Sequence, residues 1–419
     1  MPDRVIMHSD LNSFYASVEC RDNPQIADKP VAVCGDSEQR HGIILAKNIK
    51  AKEFGVKTGE SILEAKKKCP HLITVTANFE KYRAVADRVR EIYYDYTDMI
   101  EPFGIDECWL DVTASVKMFG GAEHIAEEIR RRVKEELGVT VSIGVSFNKI
   151  FAKLGSDMKK PDAITYITRE NFKEKVWPLP AADLLYVGRA TERKLDKYNV
   201  KTIGKLASLS DDFLREHFGK HGLVLGKFAR GLDDAPVMKY GESAEIKSIG
   251  NGNTAPHDLT TLTEVKSLIY CMAESVASRM HKHKLSAGGV ALTIKTNDLE
   301  YFTVQKKTEY PTASATTLGK IATELFMENF DWSRPIRAVT VCACYLSDES
   351  SVQLSFCGDY EREAKLRKLD ETVEKIRKKY SHPTIVRGVV FTDSKTVEMN
   401  PEEDNVIHPV SYFKGGKII

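Results

Sequence analysis

Two short acidic clusters about ninety-five residues apart carry the chemistry that this sequence suggests. The first is Asp10, in Val5-Ile6-Met7-His8-Ser9-Asp10-Leu11-Asn12-Ser13-Phe14-Tyr15, and the second is Asp106-Glu107, in Phe103-Gly104-Ile105-Asp106-Glu107-Cys108-Trp109-Leu110-Asp111. Each lies in apolar sequence, where an unpaired carboxylate is costly. Three carboxylates converging from two strand ends would offer the oxygen-rich cluster that holds a hard divalent cation such as Mg²⁺, and phosphoryl transfer is the chemistry of such a site. Alone the residues stay ambiguous, because an Asp after a strand can cap a helix and an Asp-Glu pair can sit on the surface.

The elements that must position them can be read from hydrophobic period. Residues 4–10, 30–34, 43–46, 72–76, 99–103, 108–112 and 139–145 have the β-branched or alternating content of strands. Helical periods run over 13–20, 60–68, 79–97, 121–137 and 149–158, the last stopped by Pro161. Strands mixed with helices, and an acidic pair between two strands able to pair antiparallel, predict an α+β domain. Asp106 and Glu107 would face opposite sides of a regular strand, so a turn or bulge is expected there, helped by Gly104. Asp111 reads as structural.

The run Asp10-Leu11-Asn12-Ser13-Phe14-Tyr15-Ala16-Ser17-Val18-Glu19, with Ile105-Asp106-Glu107-Cys108-Trp109-Leu110-Asp111, resembles the Y-family, or translesion, DNA polymerases of the bacterial DNA polymerase IV type. Lys29-Pro30-Val31-Ala32-Val33, Phe54-Gly55-Val56-Lys57-Thr58-Gly59 and Asn148-Lys149-Ile150-Phe151-Ala152-Lys153-Leu154-Gly155-Ser156-Asp157-Met158-Lys159-Lys160-Pro161 extend the resemblance over most of the first 165 residues. It implies a multidomain right-hand polymerase: a palm over 1–165 with small fingers inserted at about 12–75, a helix-hairpin-helix thumb over 166–240, a β-α-β-β-α-β little finger over 241–350 and a C-terminal tail over 351–419. It further implies template-directed, low-fidelity transfer from a dNTP to a primer 3′-hydroxyl, without proofreading. By the same resemblance two Mg²⁺ ions are held by Asp10, Asp106, Glu107 and the Leu11 carbonyl, Tyr15 is the steric gate against a 2′-hydroxyl, and Lys160 contacts the triphosphate. Phe14 reads as core.

The fingers depart from the family pattern. Where many relatives have an Asn-Tyr-x-x-Arg run, this chain has Asn48-Ile49-Lys50-Ala51-Lys52, so Lys52 keeps the charge without the fork of Arg. Ala46 stands where a phosphate-contacting hydroxyl often occurs, and Lys47 is the residue that could compensate. Ile43 and Leu45 are expected in the roof over the templating base.

Charge and composition constrain the partners. The net charge of +1 is low for a DNA-binding protein, so placement matters more than the total. Residues 166–240 are the one clearly basic segment, with 14 Lys/Arg against 10 Asp/Glu, whereas 241–350 carry 11 against 13. Val187-Gly188-Arg189 opens a hairpin in which Gly188 would let backbone N–H groups approach a phosphate, although Tyr186 stands where the family usually has another Gly. In the little finger Lys247, Lys295, Lys306 and Lys307 are the candidates for DNA contact. The eight cysteines show no C-x-x-C spacing, and Cys342-x-Cys344 at strand period reads as reduced structural thiols rather than a zinc site. No apolar run is long enough to span a membrane, so a cytoplasmic protein is expected, and the resemblance implies a monomer working on primer-template DNA and dNTPs.

Val352-Gln353-Leu354-Ser355-Phe356 resembles the peptide by which bacterial polymerases dock on the sliding clamp, so Gln353, Leu354 and Phe356 are candidate clamp residues. An edge strand would show the same alternation. A charged helix over 360–380 and a small strand-rich piece over 384–413 are expected beyond it. Two other readings of the chain are a nucleotidyl cyclase sharing the palm, which gives no reason for the hairpin thumb, and a non-catalytic DNA-binding protein, which gives none for three carboxylates.

Overall fold

The computed structural model of the chain describes residues 4–35, 42–242, 245–348 and 360–392. Two compact units result, one up to residue 242 and one from residue 245. The first unit begins with β1 (Ile6–Leu11) and α1 (Phe14–Asp22), followed by the four-residue α2 (Pro24–Ala27). β2 (Val31–Cys34), β3 (Ile44–Lys47) and β4 (Ile73–Thr76) form a small sheet in the order β3-β2-β4, with α3 (Ile49–Glu53) and α4 (Ile62–Lys68) between the last two. Ala32, Ile44, Val56, Ala65 and Leu72 give this fingers layer its own core. Asn48 caps α3 by accepting from Ala51 N–H, and Ser61 with Glu64 makes a capping box on α4.

The palm follows: α5 (Phe79–Tyr94), β5 (Ile100–Pro102), β6 (Glu107–Asp111), α6 (Ala122–Leu137), β7 (Val141–Ser146), α7 (Lys149–Met158) and β8 (Ile164–Ile167). Its sheet runs β5-β6-β1-β7-β8, so β1 is central and every residue of it is buried. Strand period then splits β1 between two faces. Met7 and Leu11 join Val89, Ile92, Ile125 and Ile129 of α5 and α6, while Ile6 joins Ile150, Phe151 and Leu154 of α7. His8 and Asp10 share the Ile6 face by the same alternation. α7 lies very close to the sheet because two glycines meet there: a Cβ on Gly144 would fall 1.9 Å from the Ala152 carbonyl oxygen, and one on Gly155 would fall 3.1 Å from Gly144 Cα.

The thumb adds α8 (Phe172–Val176), α9 (Arg189–Lys197), α10 (Ile203–Ala207) and α11 (Asp211–Ala229), packed through Leu195, Ile203, Leu206, Leu214 and Leu225.

In the second unit β9 (Ser248–Leu259), α12 (Leu262–His283), β10 (Leu285–Thr296), β11 (Tyr301–Thr312), α13 (Ala315–Asn329) and β12 (Ile336–Asp348) make an antiparallel sheet in the order β11-β10-β12-β9. Its apolar face packs on α12 and α13. β11 ends at Thr312, and α13 starts after Ser314, whose side chain accepts from Thr316 N–H. The expected charged helix is α14 (Tyr360–Tyr380), and it belongs to this unit rather than to a separate tail. Arg377 and Arg387 both pair with Glu274 of α12, at 2.9 and 2.7 Å, and Asp370 of α14 accepts from the Ala315 N–H at the start of α13 at 2.8 Å. The strand-rich piece expected from 384 is not seen as far as residue 392, where the described chain forms short 3₁₀ turns at His382–Thr384 and Val390–Thr392. Gln353, Leu354 and Phe356 lie outside the described residues. Among the described residues no helix is long and apolar enough to cross a membrane.

Candidate active site

β1 and β6 bring the two acidic clusters together. Asp10 is the register partner of Glu107, and the Leu11 N–H donates to the Asp106 carbonyl at 3.0 Å. The expected break before the strand is a turn: β6 begins at Glu107, and Gly104 two residues before Asp106 has a φ of 88°. Arg90 of α5 braces that turn, its guanidinium donating to the Gly104 and Ile105 carbonyls at 3.3 and 3.4 Å. Asp111 accepts from the N–H and hydroxyl of Thr113, a local role.

From the other side α7 supplies cations. Lys160, just past its end, places Nζ 2.8 Å from Asp10 Oδ2 and 2.9 Å from Asp157. Lys153 pairs with Glu107 Oε2, and fully buried His8 holds Nε2 3.2 Å from the same oxygen while its Nδ1 meets the Ser156 hydroxyl at 2.8 Å. Lys153, His8 and Arg90 were not singled out by sequence reasoning. Lys153 and Ser156 are three residues apart on α7, a spacing that marks a shared face, but that face matters only once the helix is known to lie on β1.

These contacts divide the carboxylates. Burial pushes Asp10 up to about 7 despite Lys160, with the Glu107 and Asp106 charges adding to the rise. Burial and Glu107 likewise raise Asp106 to about 6. Burial also acts on Glu107, but His8 and Lys153 outweigh it and hold that carboxyl down at about 2. The site therefore concentrates acidic groups that repel one another out of water, with lysine ammonium groups as counter-charges. Among the described residues no three such groups close into a ready-made ion cage. The donor set and its demand for positive charge nonetheless fit a hard divalent cation.

Tyr15 stands beside this cluster. Its ring stacks on Tyr82 at 4.4 Å and 12°, and Tyr82 is fixed by donating its hydroxyl to buried Glu19 at 2.7 Å. Burial and the Asp106 charge raise the Tyr15 phenol to about 12. Phe14 is 3 % exposed in the palm core, as expected. In the fingers, Lys52 is exposed on α3 and Lys47 is partly buried on β3, donating to Thr58 Oγ1 at 3.0 Å. Burial, then the nearby Lys52 charge, depress the Lys47 ammonium, so the two cations share one neighbourhood.

Gly188 is the N-cap of α9, with extended backbone and no side chain capping the helix. The left-handed conformation falls instead on Tyr186, φ 70°, where the family usually has glycine. In the second unit Lys247 is exposed and Lys295 stacks its ammonium over Tyr301 at 4.7 Å. Lys306 lies on the helical face and pairs with Glu324 and Glu328, each at 3.7 Å. Lys307 lies over Tyr345 at 5.8 Å.

Residues 9–157 match the impB/mucB/samB family, 246–356 its C-terminal domain, and 182–233 the thumb domain of DNA polymerase-iota. A protein named DNA polymerase IV from Acetivibrio thermocellus is 48% identical over 391 residues, covering 93% of this chain and 98% of that protein. Another of that name from Clostridium acetobutylicum is 34% identical over 395 residues, with 93% and 98% covered. A solved Y-family DNA polymerase chimera of Dbh and Dpo4 superposes with a TM-score of 0.72 at 25% identity, over 82% of this chain and 99% of that one. With its carboxylates, thumb and little finger in the same order, this chain belongs to the Y family of DNA polymerases.

Proposed function

We propose that the chain is a translesion DNA polymerase that extends a primer on template DNA, with Asp10, Asp106 and Glu107 as its catalytic carboxylates. The observation that carries this reading is the register pairing of Asp10 with Glu107 under two α7-side lysines. Asp10, Asp106, Glu107 and the Leu11 carbonyl would hold two Mg²⁺ ions, whose charge supports in-line attack on the α-phosphate. Lys160, already facing the cluster, binds the triphosphate once Asp10 has another cation. Tyr15, held flat on Tyr82, fills the space under the sugar at C2′ and selects deoxyribonucleotides. Lys47 and Lys52 neutralise triphosphate charge from the fingers, as ammonium point charges rather than a planar fork. The thumb grips phosphate through the N–H groups at the start of α9, beside Gly188, and Lys247 and Lys295 of the little finger add contacts to the backbone of the duplex.

Primer extension by the purified chain tests the reading. Template-directed extension should require Mg²⁺ and stop with EDTA. A protein that binds primer-template but never extends it is the non-catalytic alternative, and one that cyclises a nucleoside triphosphate without template is the cyclase. We place the chain in the cytoplasm as a monomer that docks on the sliding clamp through Gln353, Leu354 and Phe356. Replacing all three by Ala should remove clamp-stimulated processivity without changing single-nucleotide incorporation. Equal stimulation of the variant would return the segment to a structural role.

A further inference from the structure

The sequence of α14 mixes eight basic residues with five acidic ones, and docking sorts them. Glu363 accepts from the Thr317 hydroxyl at 3.0 Å, Asp370 from the Ala315 N–H at 2.8 Å, and Glu374 meets His281 Nδ1 at 2.9 Å. Three of the five carboxylates are thus turned inward onto α12 and α13. Glu371 pairs with Arg367 along the helix at 3.1 Å, and Glu361 is exposed at its N-terminal end. On the side away from these contacts Lys365, Lys368, Lys375 and Lys379 are all exposed, with Thr372 among them. Steps of three, seven and four residues keep the four lysines on one stripe, roughly 21 Å long at the rise of an α-helix. Among the described residues none of these four ammonium groups meets a carboxylate. Lys365 with Lys368, and Lys375 with Lys379, are like-charge neighbours of the kind that weakens a helix until an anion lies across them.

We propose that this stripe binds single-stranded nucleic acid through its phosphates. Regularly repeated anions on a flexible backbone match a row of ammonium groups and need no particular sequence. A single strand can lie along the row, whereas a duplex is itself a rod and would meet the convex helix at only one or two phosphates. Tyr380 has its ring 60 % exposed, with the Lys379 ammonium 5.0 Å from the ring centroid. A strand held at Lys379 therefore brings a base within reach of an aromatic ring, and only unpaired bases have a face to offer it. α14 stands on the helical side of the second unit, while Lys295 and Lys307 lie on the open face of its sheet, so this contact is separate from the grip on the duplex proposed above. The source of the strand rests on the polymerase reading, in which template beyond the primer end is unpaired.

Fluorescence anisotropy of a labelled oligothymidylate of about twenty nucleotides, titrated with the full-length chain at several salt concentrations, is the test. Replacing Lys365, Lys368, Lys375 and Lys379 together by Gln keeps helix propensity and the inward pairs. It should weaken binding tenfold or more and lower the slope of log affinity against log salt by about 3, at roughly 0.7 per lysine. The same four changed to Arg should keep both values. Single-nucleotide incorporation on a primer-template with a short overhang should be unchanged in both variants, which shows that they are folded. If the Gln variant loses incorporation too, Lys368→Gln with Lys375→Gln is read instead and should show half the change in slope. Wild-type affinity and slope in the folded Gln variant overturn the proposal, as does an equal loss on a hairpin duplex. A loss seen only on vesicles of anionic phospholipid overturns it in favour of a membrane surface. Primer extension by the wild type tests the polymerase reading separately, since the strand-binding comparison needs no catalysis.

Discussion

Lys160 sits with its ammonium 2.8 Å from the Asp10 carboxylate, although the two residues are 150 positions apart in the chain. Asp10 alone would face a heavy desolvation cost in the centre of the palm sheet, and Lys160 offsets part of it. The contact is one that an incoming cation would replace, which would leave Lys160 to the nucleotide. A site in this condition holds charges ready to be exchanged, and several consequences can be measured.

Asp106→Ala and Glu107→Ala should each abolish nucleotide incorporation while sparing primer-template binding, because the thumb and little finger lie elsewhere in the chain. Losing the metal-binding arrangement should cost several kcal/mol of transition-state stabilisation, roughly a thousandfold or more at ~1.4 kcal/mol per decade. Single-turnover incorporation and a DNA-binding titration separate the two effects. Near-normal extension by either variant contradicts the assignment.

Tyr15→Ala should incorporate ribonucleotides much more readily, whereas Phe14→Ala should lose about 3–5 kcal/mol of stability from the palm core with no comparable change in sugar choice. Matched ribo- and deoxyribonucleotide incorporation, with denaturant melts, distinguishes the pair. Unchanged discrimination in Tyr15→Ala would move the gate to another residue.

Ile49→Tyr with Lys52→Arg should lower the KM for incoming nucleotide on undamaged template. Ile49 is 49 % exposed at the start of α3, so a phenol fits without repacking, and a guanidinium at 52 restores a planar pair of donors. A KM that stays fixed or rises assigns the phosphate contact to Lys47 and Thr58.

Protonation of Asp10 sets a pH dependence. Its carboxyl titrates near 7 in the metal-free fold against 3.8 ordinarily. Between those values the folded chain holds more protons at Asp10 than the unfolded chain, so this group favours folding most below the lower value, and that contribution is lost as pH rises through 7. Divalent cation requires the ionised form and so works in the opposite sense. Mg²⁺ should therefore raise the melting temperature more at about pH 8 than at about pH 6, with proton release on binding near pH 7. Equal increments at both would rule out Asp10 as the controlling group.

Much of this arrangement was legible in the sequence because it rests on local period. Every palm strand except β8, which the hydrophobic pattern did not mark, and each long palm helix falls within a few residues of its pattern, and the Asp106–Glu107 turn follows from strand alternation. What was not legible depends on which faces meet. His8 looks like an ordinary strand residue until β1 is seen to present it to α7, where Ser156 and Glu107 are its partners. Lys306 differs from Lys307 only by pleat, and the register that sends one toward α13 and the other to the open face is a property of the paired strands. Tyr186 in a left-handed turn contradicts local preference, since tertiary packing in the thumb core holds it there. α14 reads as a charged solvent helix because the ion pairs that dock it come from residues far away in sequence.

The meeting of Gly144 and Gly155 makes the palm intolerant at a position that does no chemistry. Even alanine at 144 would collide with the main chain of α7, and backbone cannot rotate aside as a side chain can. The helix would have to back away as a rigid rod, taking Lys153, Ser156 and the approach to Lys160 with it. Variation in a lineage carrying this fold should therefore be suppressed at 144 as strongly as at the carboxylates, and a survey of tolerated substitutions would mark as catalytic a residue whose only property is that it has no side chain.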